Sequence, residues 1–331
     1  KLESVEPFLF NLFNDPAIIS IPSIIRYPLA KFISKRRAPI AKNIYREIGN
    51  KSPILELTQD QAKSLEKNLV EKGDYKCFVI MRCWHPRASD VIKEVKEYNP
   101  VEVILLPLYP QYSASTSGSS IKEWNDLCEK ENYKIKTKTI CCYPTESNFI
   151  ESHVKLIKKT IKALENNNFK LLFSAHGLPE NKIKKGDPYQ WQVEQTVEKI
   201  MSKLKNENLD YIISYQSRVG PLKWIGPSTD EVIVKYSKEK KGIVIVPVAF
   251  VSEHSETLVE LDIEYKKLAE KNGCSFYKRV PALGVEENFI KGLADLVLKK
   301  ETRSNFVSSA MCSNKYIKCP CLTIKNRKSI K

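Results

Sequence analysis

Continuous apolar runs of strand length alternate with stretches whose apolar positions recur every three or four residues, and this alternation covers most of the 331-residue chain. The runs predict strands at Cys77–Met81, Val101–Leu106, Ile135–Cys141, Lys170–Ser174, Tyr211–Tyr215, Ile243–Ala249 and Ser275–Arg279. The helical spacing predicts helices over Gln59–Lys72, Ala88–Tyr98, Ser147–Asn166, Tyr189–Lys203, Glu253–Lys271 and Glu286–Lys299. Strands that are apolar throughout, rather than at alternate positions, are buried on both faces. The expected fold class is therefore α/β, with parallel sheets covered by helices and joined by right-handed crossovers.

The two halves echo each other. Val103-Ile104-Leu105-Leu106-Pro107 leads to Ser113, as Ile243-Val244-Ile245-Val246-Pro247 leads to Ser252 and a helix. A duplicated α/β domain is the reading, with the seam near Tyr143-Pro144-Thr145 and a cleft between the halves as the expected active site. The expected domains are 1–148, 149–300 and a cysteine-containing extension at 301–331. Two regions stand outside the pattern. Phe8 to Phe32 is apolar but irregular, interrupted by Pro16, Pro22 and Pro28, and beyond Glu301 the helical pattern fades.

Composition narrows the class. The charge of +15 comes mostly from dispersed lysines, which read as solvated faces. No nucleic-acid motif accompanies it, so no nucleic-acid partner is expected. Only 11 glycines occur and none forms a dinucleotide or phosphate-loop fingerprint, which argues against a nucleotide cofactor. No run approaches the roughly 18–20 apolar residues that span a bilayer. Nine irregularly spaced cysteines without an export signal fit a reducing, cytoplasmic setting, with thiols available for metal.

The chemistry concentrates where strands end. Lys170-Leu171-Leu172-Phe173-Ser174-Ala175-His176-Gly177-Leu178-Pro179 leaves an imidazole at the carboxyl end of a parallel strand, where open α/β sheets bind ligands. Pro247 to Leu258 does the same with His254, and Glu253, Glu256, Glu260 and Glu264 then recur at spacings of three and four, on one helix face. The loop Gln216 to Pro227 offers Arg218 and Trp224 between Gly and Pro residues, and Pro107 to Ser120 places Tyr109, Tyr112 and several hydroxyls after a strand.

These segments carry a resemblance. FSAHGLP, QSRVGPLKWIGPSTDE, PVAFVSEHSETLVELDIEY, LLPLYPQYSASTSGSS, FLFNLFNDPAI and SPILELT resemble the ferrochelatase family from about Leu2 to about Leu298. The resemblance implies two similar four-stranded, Rossmann-like domains with a porphyrin cleft between them. It implies insertion of Fe2+ into protoporphyrin IX with release of two protons, the last step of haem formation. Coproporphyrin III as substrate, or a non-catalytic porphyrin carrier, are the alternatives. His176 matches the metal-site histidine, Glu256 its carboxylate partner across the cleft, and Glu260 a proton or metal route with Glu253 and His254. Arg82 matches a pocket arginine, while Cys83 departs from the tyrosine of some relatives. Tyr112, Trp224 and Ile19, in the apolar lip Ile18–Ile25, are the implied porphyrin contacts. That lip also allows peripheral contact with a membrane.

The chemistry requires such groups: Fe2+ must shed water, and two pyrrole protons need acceptors. A neutral imidazole nitrogen can bind the ion or take a proton, but not both at once. In the tail, Cys312, Cys319 and Cys321 suit a soft-metal site lacking one ligand. Many ferrochelatases hold a 2Fe-2S cluster with three such cysteines and an internal one. The usual internal position is Ala114 here, so Cys142 or Cys141 is expected instead, with Cys128 behind them. Relatives also open with a strand and a GGP turn ahead of the Leu2 segment, so a bacterial-type sequence truncated at the N-terminus is expected, short of one central strand.

Overall fold

The computed structural model describes residues 1–164, 168–218, 222–299, 306–308 and 312–322. The chain opens with α1 (Val5–Phe13), α2 (Ser23–Arg46), α3 (Ile54–Leu69) and α4 (Ala88–Tyr98). β1 (Val103–Leu105), α5 (Ser117–Lys130), β2 (Thr137–Cys142) and α6 (Ser147–Lys162) follow. Next come β3 (Phe169–His176), α7 (Glu180–Lys184), α8 (Tyr189–Leu204), β4 (Tyr211–Gln216), α9 (Thr229–Lys238) and β5 (Gly242–Pro247). A π-helix (Glu256–Glu264) runs into α10 (Tyr265–Lys271), and β6 (Tyr277–Arg279), α11 (Glu287–Leu298) and β7 (Phe306–Ser308) complete the order.

Two parallel sheets result, in the orders β1-β2-β7 and β4-β3-β5-β6. The second has the four strands expected. β3 is buried from Phe169 to Ala175, and β5 along its whole length, as uninterrupted apolar runs require. Their Leu171, Phe173, Val244 and Val246 pack against Val193, Val197 and Ile200 of α8 and Phe289 and Ile290 of α11 in one continuous core. The first sheet has three strands among the described residues, and one of them, β7, arrives from beyond residue 301 to lie beside β2. Lys138 of β2 reaches the other half, donating to the carbonyls of Val297 (2.5 Å) and Lys299 (2.8 Å) at the end of α11. A cation there satisfies carbonyls that the helix itself leaves open.

Two expectations need correction. Cys77–Met81 forms no ladder among the described residues: Cys77 N–H donates to Glu66 Oε1 (2.6 Å) and Met81 N–H to the Pro86 carbonyl (2.7 Å). Phe78 and Ile80, partly buried, still pack against Val91, Ile92 and Trp124, so core contact was legible where strand pairing was not. The irregular apolar segment is largely helical, as α1 and the first turns of α2. Pro22 precedes α2, and Pro28 lies inside it on a solvent face, where water can satisfy the backbone group that the ring leaves without a donor. Parts of three predicted features fall outside the described residues: the end of the helix predicted to Asn166, positions 219–221 of the Gly/Pro loop, and much of the tail.

His153 on α6 is 1% exposed, and neither ring nitrogen has a hydrogen-bond partner among the described residues. Phe149 meets the ring edge-on at 4.8 Å. Burial pulls its pKa from 6.5 down to about 3, so the folded ring stays neutral while the unfolded ring binds a proton below about 6.5. Stability contributed here is lost as pH falls from 6.5 towards 3. His153→Leu is expected to flatten that slope, raising the melting temperature at pH 5 more than at pH 8 in thermal scans.

Candidate active site and thiol centre

β3 and β5 are neighbours in the ladder, so their carboxyl ends, and the segments that follow, emerge side by side. His176 is the last residue of β3, and Glu256 opens the π-helix that follows β5. His176 Nδ1 lies 3.0 Å from Glu256 Oε2. The two groups are therefore direct partners on one wall rather than facing each other across a cleft, because both come from the edge of one sheet. Their side chains are 40% and 35% exposed, so a ligand can reach them.

Electrostatics fixes the roles of the atoms. Burial alone would raise the Glu256 pKa, but His176, and beyond it His254, hold it down to about 2. Burial likewise pulls His176 down, and the Glu256 charge and hydrogen bond outweigh it, leaving the imidazole above its usual 6.5. An ionised carboxylate can only accept, so Nδ1 carries the donated proton and Nε2 keeps its lone pair whenever the ring is neutral. His254 Nδ1 lies 3.0 Å from the Ser252 carbonyl, and its Nε2 stands 4.0 Å from Glu256 Oε2.

Glu260 is pinned by four donors: Gln216 Nε2 (2.9 Å), Ser217 N–H (3.1 Å), Ser217 Oγ (2.7 Å) and Tyr265 Oη (2.9 Å). Burial and then the charge of Glu256 nevertheless outweigh these bonds and raise its pKa. The π-helix shows its register where Tyr265 N–H bonds the Glu260 carbonyl five residues back. Glu253 leaves the expected acidic stripe to pair with Arg279 Nη1 (2.9 Å), and Glu264 is exposed.

The first half supplies neighbours. Tyr45, near the end of α2, lies beside Ser255, and Tyr109 lies within electrostatic reach of Cys83, Arg82 and Glu256. Arg82 is held by Asp15 (2.8 Å), Ser119 Oγ (2.8 Å) and Glu123 (3.3 Å). Cys83 is buried beside it, its thiol pushed up to about 11 by desolvation. Trp224 packs against Gly177, next to His176, and its indole nitrogen is buried without a partner among the described residues. Ile19 is half-buried in the lip. Tyr112 lies elsewhere, buried with Cys141, Cys142, Cys312 and Cys319.

Those thiols form a second centre. Cys141, Cys319 and Cys321 have sulfurs within 4.8 Å of one another. Hydrogen bonds from Cys141, Cys312 and Cys321 hold the Cys319 thiol far below its usual pKa. Cys142, the expected internal ligand, lies next to this group and contacts Ser308 Oγ (3.1 Å) and Gln192 Nε2 (3.4 Å). The β2–β7 ladder shifts register between Ile140 and Cys142, so regular alternation breaks at the two adjacent cysteines and both pack in the same buried cluster. Cys128 lies apart, packed beside Trp124. All nine cysteines are among the described residues, and none is in a disulfide.

Comparison with known proteins decides the family. The ferrochelatase family model matches residues 1–301. The chain belongs to the ferrochelatase family. It is 64% identical over 329 residues to the ferrochelatase of Pelagibacter ubique (strain HTCC1062), covering 97% of this chain and 95% of that one. It is 48% identical to the ferrochelatase of Rickettsia felis, covering 97% and 94%. Insertion of Fe2+ into a porphyrin, for haem synthesis, is its activity. Among solved structures, SirB from Bacillus subtilis with Fe3+ superposes with TM-score 0.53 at 13% identity, over 72% of this chain and 87% of that one. At that identity the likeness speaks for the chelatase fold alone.

The sequence did not mark Tyr45, Ser217 and Tyr265 as neighbours of Glu256 and Glu260 in this candidate site. The signal for Tyr45 was its spacing of four and seven residues from Ala41 and Ala38, on the packed face of α2. Nothing local marks Tyr265 as a partner of Glu260, because only the widened helix brings them together.

Proposed function

We propose that the porphyrin is protoporphyrin IX and that His176 Nε2 is the atom that meets it. The observation that carries this reading is the 3.0 Å contact at Nδ1, which orients the ring and leaves Nε2 as the available lone pair. Neutral His176 takes a pyrrole proton, and the resulting imidazolium stays paired with ionised Glu256. Glu260, with its raised pKa, is the next acceptor along the π-helix and passes protons away from the ring. Arg82 acts through its hold on Asp15 and the lip, and Trp224 and Ile19 border the ring. The Ile-rich lip, Ile18 to Ile25, favours protoporphyrin over the more highly charged coproporphyrin III. The test is anaerobic incubation of the chain with Fe2+ and both porphyrins in competition, following the haem spectra. Preferential metallation of coproporphyrin III would overturn the substrate, and binding without metallation would favour a carrier.

Proton acceptance by His176 sets a pH dependence. The pair is most stabilising above the unfolded Glu value of 4.5 and below the unfolded His value of 6.5. It weakens as pH rises through the raised His176 pKa, which is also where the neutral base appears. kcat/KM is therefore expected to rise with pH through a midpoint above 6.5. Glu256→Gln should move that midpoint to lower pH, since burial then acts unopposed by the carboxylate. A midpoint unmoved in a pH–rate profile would remove Glu256 as the group that tunes His176.

The lip supports a peripheral membrane contact for a cytoplasmic protein. Ile24 (82% exposed), Ile25 (56%) and Phe32 (58%) share one face of α2, with Lys31, Lys35 and Arg36 exposed nearby. No helix among the described residues is long and apolar enough to cross a membrane. An amphipathic basic helix of this kind lies in the interface. Phe32→Glu is expected to lower co-sedimentation with anionic vesicles severalfold.

The second centre fits an iron–sulfur group: its donors are thiols alone, with Cys141, Cys312 and Cys319 buried, Cys321 partly so, and three of the sulfurs within 4.8 Å of one another. Cys141, Cys312, Cys319 and Cys321 would hold a 2Fe-2S cluster, with Gln192 donating to Cys312 Sγ at 3.3 Å. Such a group, when bound, supplies one-electron redox chemistry. Anaerobically purified protein is expected to be coloured and to contain iron; a colourless, iron-free preparation would refute the cluster.

A further inference from the structure

The end of α7, the link that follows and the first residue of α8 form a strap, residues 182–189, that touches four separate parts of the molecule. Lys182 Nζ donates to the Ala17 carbonyl (2.5 Å) and to Ser115 Oγ (2.6 Å), fastening the base of the lip. The Gly186 carbonyl accepts from Lys318 N–H (3.1 Å) in the cysteine-bearing tail. Gly186 has φ +88°, and a Cβ there would stand 2.7 Å from Ile317 Cγ1, so tail and strap are in closest backbone contact. Asp187, 2% exposed, accepts from Ser113 Oγ (2.9 Å) and Ala114 N–H (2.9 Å) with one oxygen, and from Tyr189 N–H (3.1 Å) with the other. Tyr189, buried, in turn lies against the backbone of His176.

The next turn of α8 repeats the connection. Gln192 Oε1 accepts from Tyr112 N–H (2.7 Å), while its Nε2 faces the sulfurs of Cys142 and Cys312. Trp191 stacks on Tyr316 of the tail, with ring centroids 5.3 Å apart. Tail, lip, the 112–119 loop and the metal-facing strand thus meet on one short segment whose central carboxylate is buried and fully engaged.

We infer that this strap couples the thiol centre to the porphyrin cleft, with Asp187 as the positioning residue that makes the two sites respond to each other. The inference rests on the porphyrin and thiol-centre readings above. Docking of the tail on Gly186 and Gln192 fixes the strap. The fixed strap then holds Ala17 through Lys182, the 113–114 backbone through Asp187, and His176 through Tyr189. A tail that lets go releases all three, so the state of the thiols changes porphyrin affinity, and porphyrin changes the thiols' hold on the tail by the same factor. Buried, hydrogen-bonded contacts of this kind switch between docked and undocked rather than bending gradually.

A double-mutant cycle on the full chain tests it, reading protoporphyrin IX binding by fluorescence without added iron. Cys319→Ser alone is expected to weaken binding about fivefold or more, in the usual range of coupling between sites. Asp187→Asn alone should weaken it similarly while leaving the iron content and visible absorbance of the thiol centre at the wild-type level. Combined, the two changes should be no worse than Asp187→Asn alone. Independent, multiplying effects, or a Cys319→Ser variant that binds as well as wild type, would overturn the coupling. If circular dichroism shows Asp187→Asn to be unfolded, Lys182→Met takes its place and must remove the Cys319→Ser effect in the same way. A wild-type chain that binds no protoporphyrin would sink the substrate reading and the coupling together, whereas binding indifferent to the thiols sinks the coupling alone.

Discussion

His176→Ala is expected to lower the rate of iron insertion by about 10²–10⁴-fold, the usual contribution of a positioned proton acceptor. The loss should fall on kcat, because nothing else replaces Nε2, while the walls that hold the porphyrin stay in place. Glu256→Gln should cost less, since its amide oxygen can still accept from Nδ1 and keep the ring oriented. The measurement is anaerobic haem formation under saturating Fe2+. A His176→Ala chain that works at the normal rate would take the imidazole out of the mechanism.

The largest effect on stability is expected at Arg279. Its guanidinium, 11% exposed, is bidentate to Asp262 (2.7 and 2.8 Å) and also meets Glu253 at 2.9 Å. Arg279→Met keeps the bulk but leaves two carboxylates without their cation. Breaking a buried pair from one side costs about 3–5 kcal/mol. The lower end applies, because the Asp262 side chain keeps 36% of its surface in water. Denaturant titration should show an earlier midpoint with an unchanged slope. Insertion should slow as well, because Glu253 accepts from Ala282 N–H (2.9 Å) and stands just ahead of the π-helix that carries Glu256. A midpoint equal to wild type would mean that desolvation of the three charges already cancels their attraction.

Legibility followed the range of the forces involved. Uninterrupted apolar runs such as Leu171 to Phe173 and Ile243 to Val246 announced the second sheet, since burial on both faces leaves its mark on every residue. His176 and Glu256 were legible for the same reason: each stands where an apolar strand gives way to polar chain. Their mutual distance was not, because adjacency of β3 and β5 is a matter of strand order, which no local pattern encodes. Cys77–Met81 failed differently. Its side chains are half-buried against the core, but pairing depends on what lies alongside. The choice between Cys141 and Cys142 turned on a local shift of register in β2, which spacing in the tail could not reveal.

The parallel pairing of β2 with β7 has a consequence for how the molecule is made. Cys142 and Ser308, in contact across that ladder, are 166 positions apart in the chain. Contacts of such long sequence separation form late. During synthesis the second sheet can assemble as soon as its own strands have emerged, but the β2 edge waits, uncovered, until Phe306–Ser308 have left the ribosome. Nascent chains halted before Phe306 should therefore bind chaperones and resist proteolysis only over the second sheet, with protection of the first appearing once β7 is released.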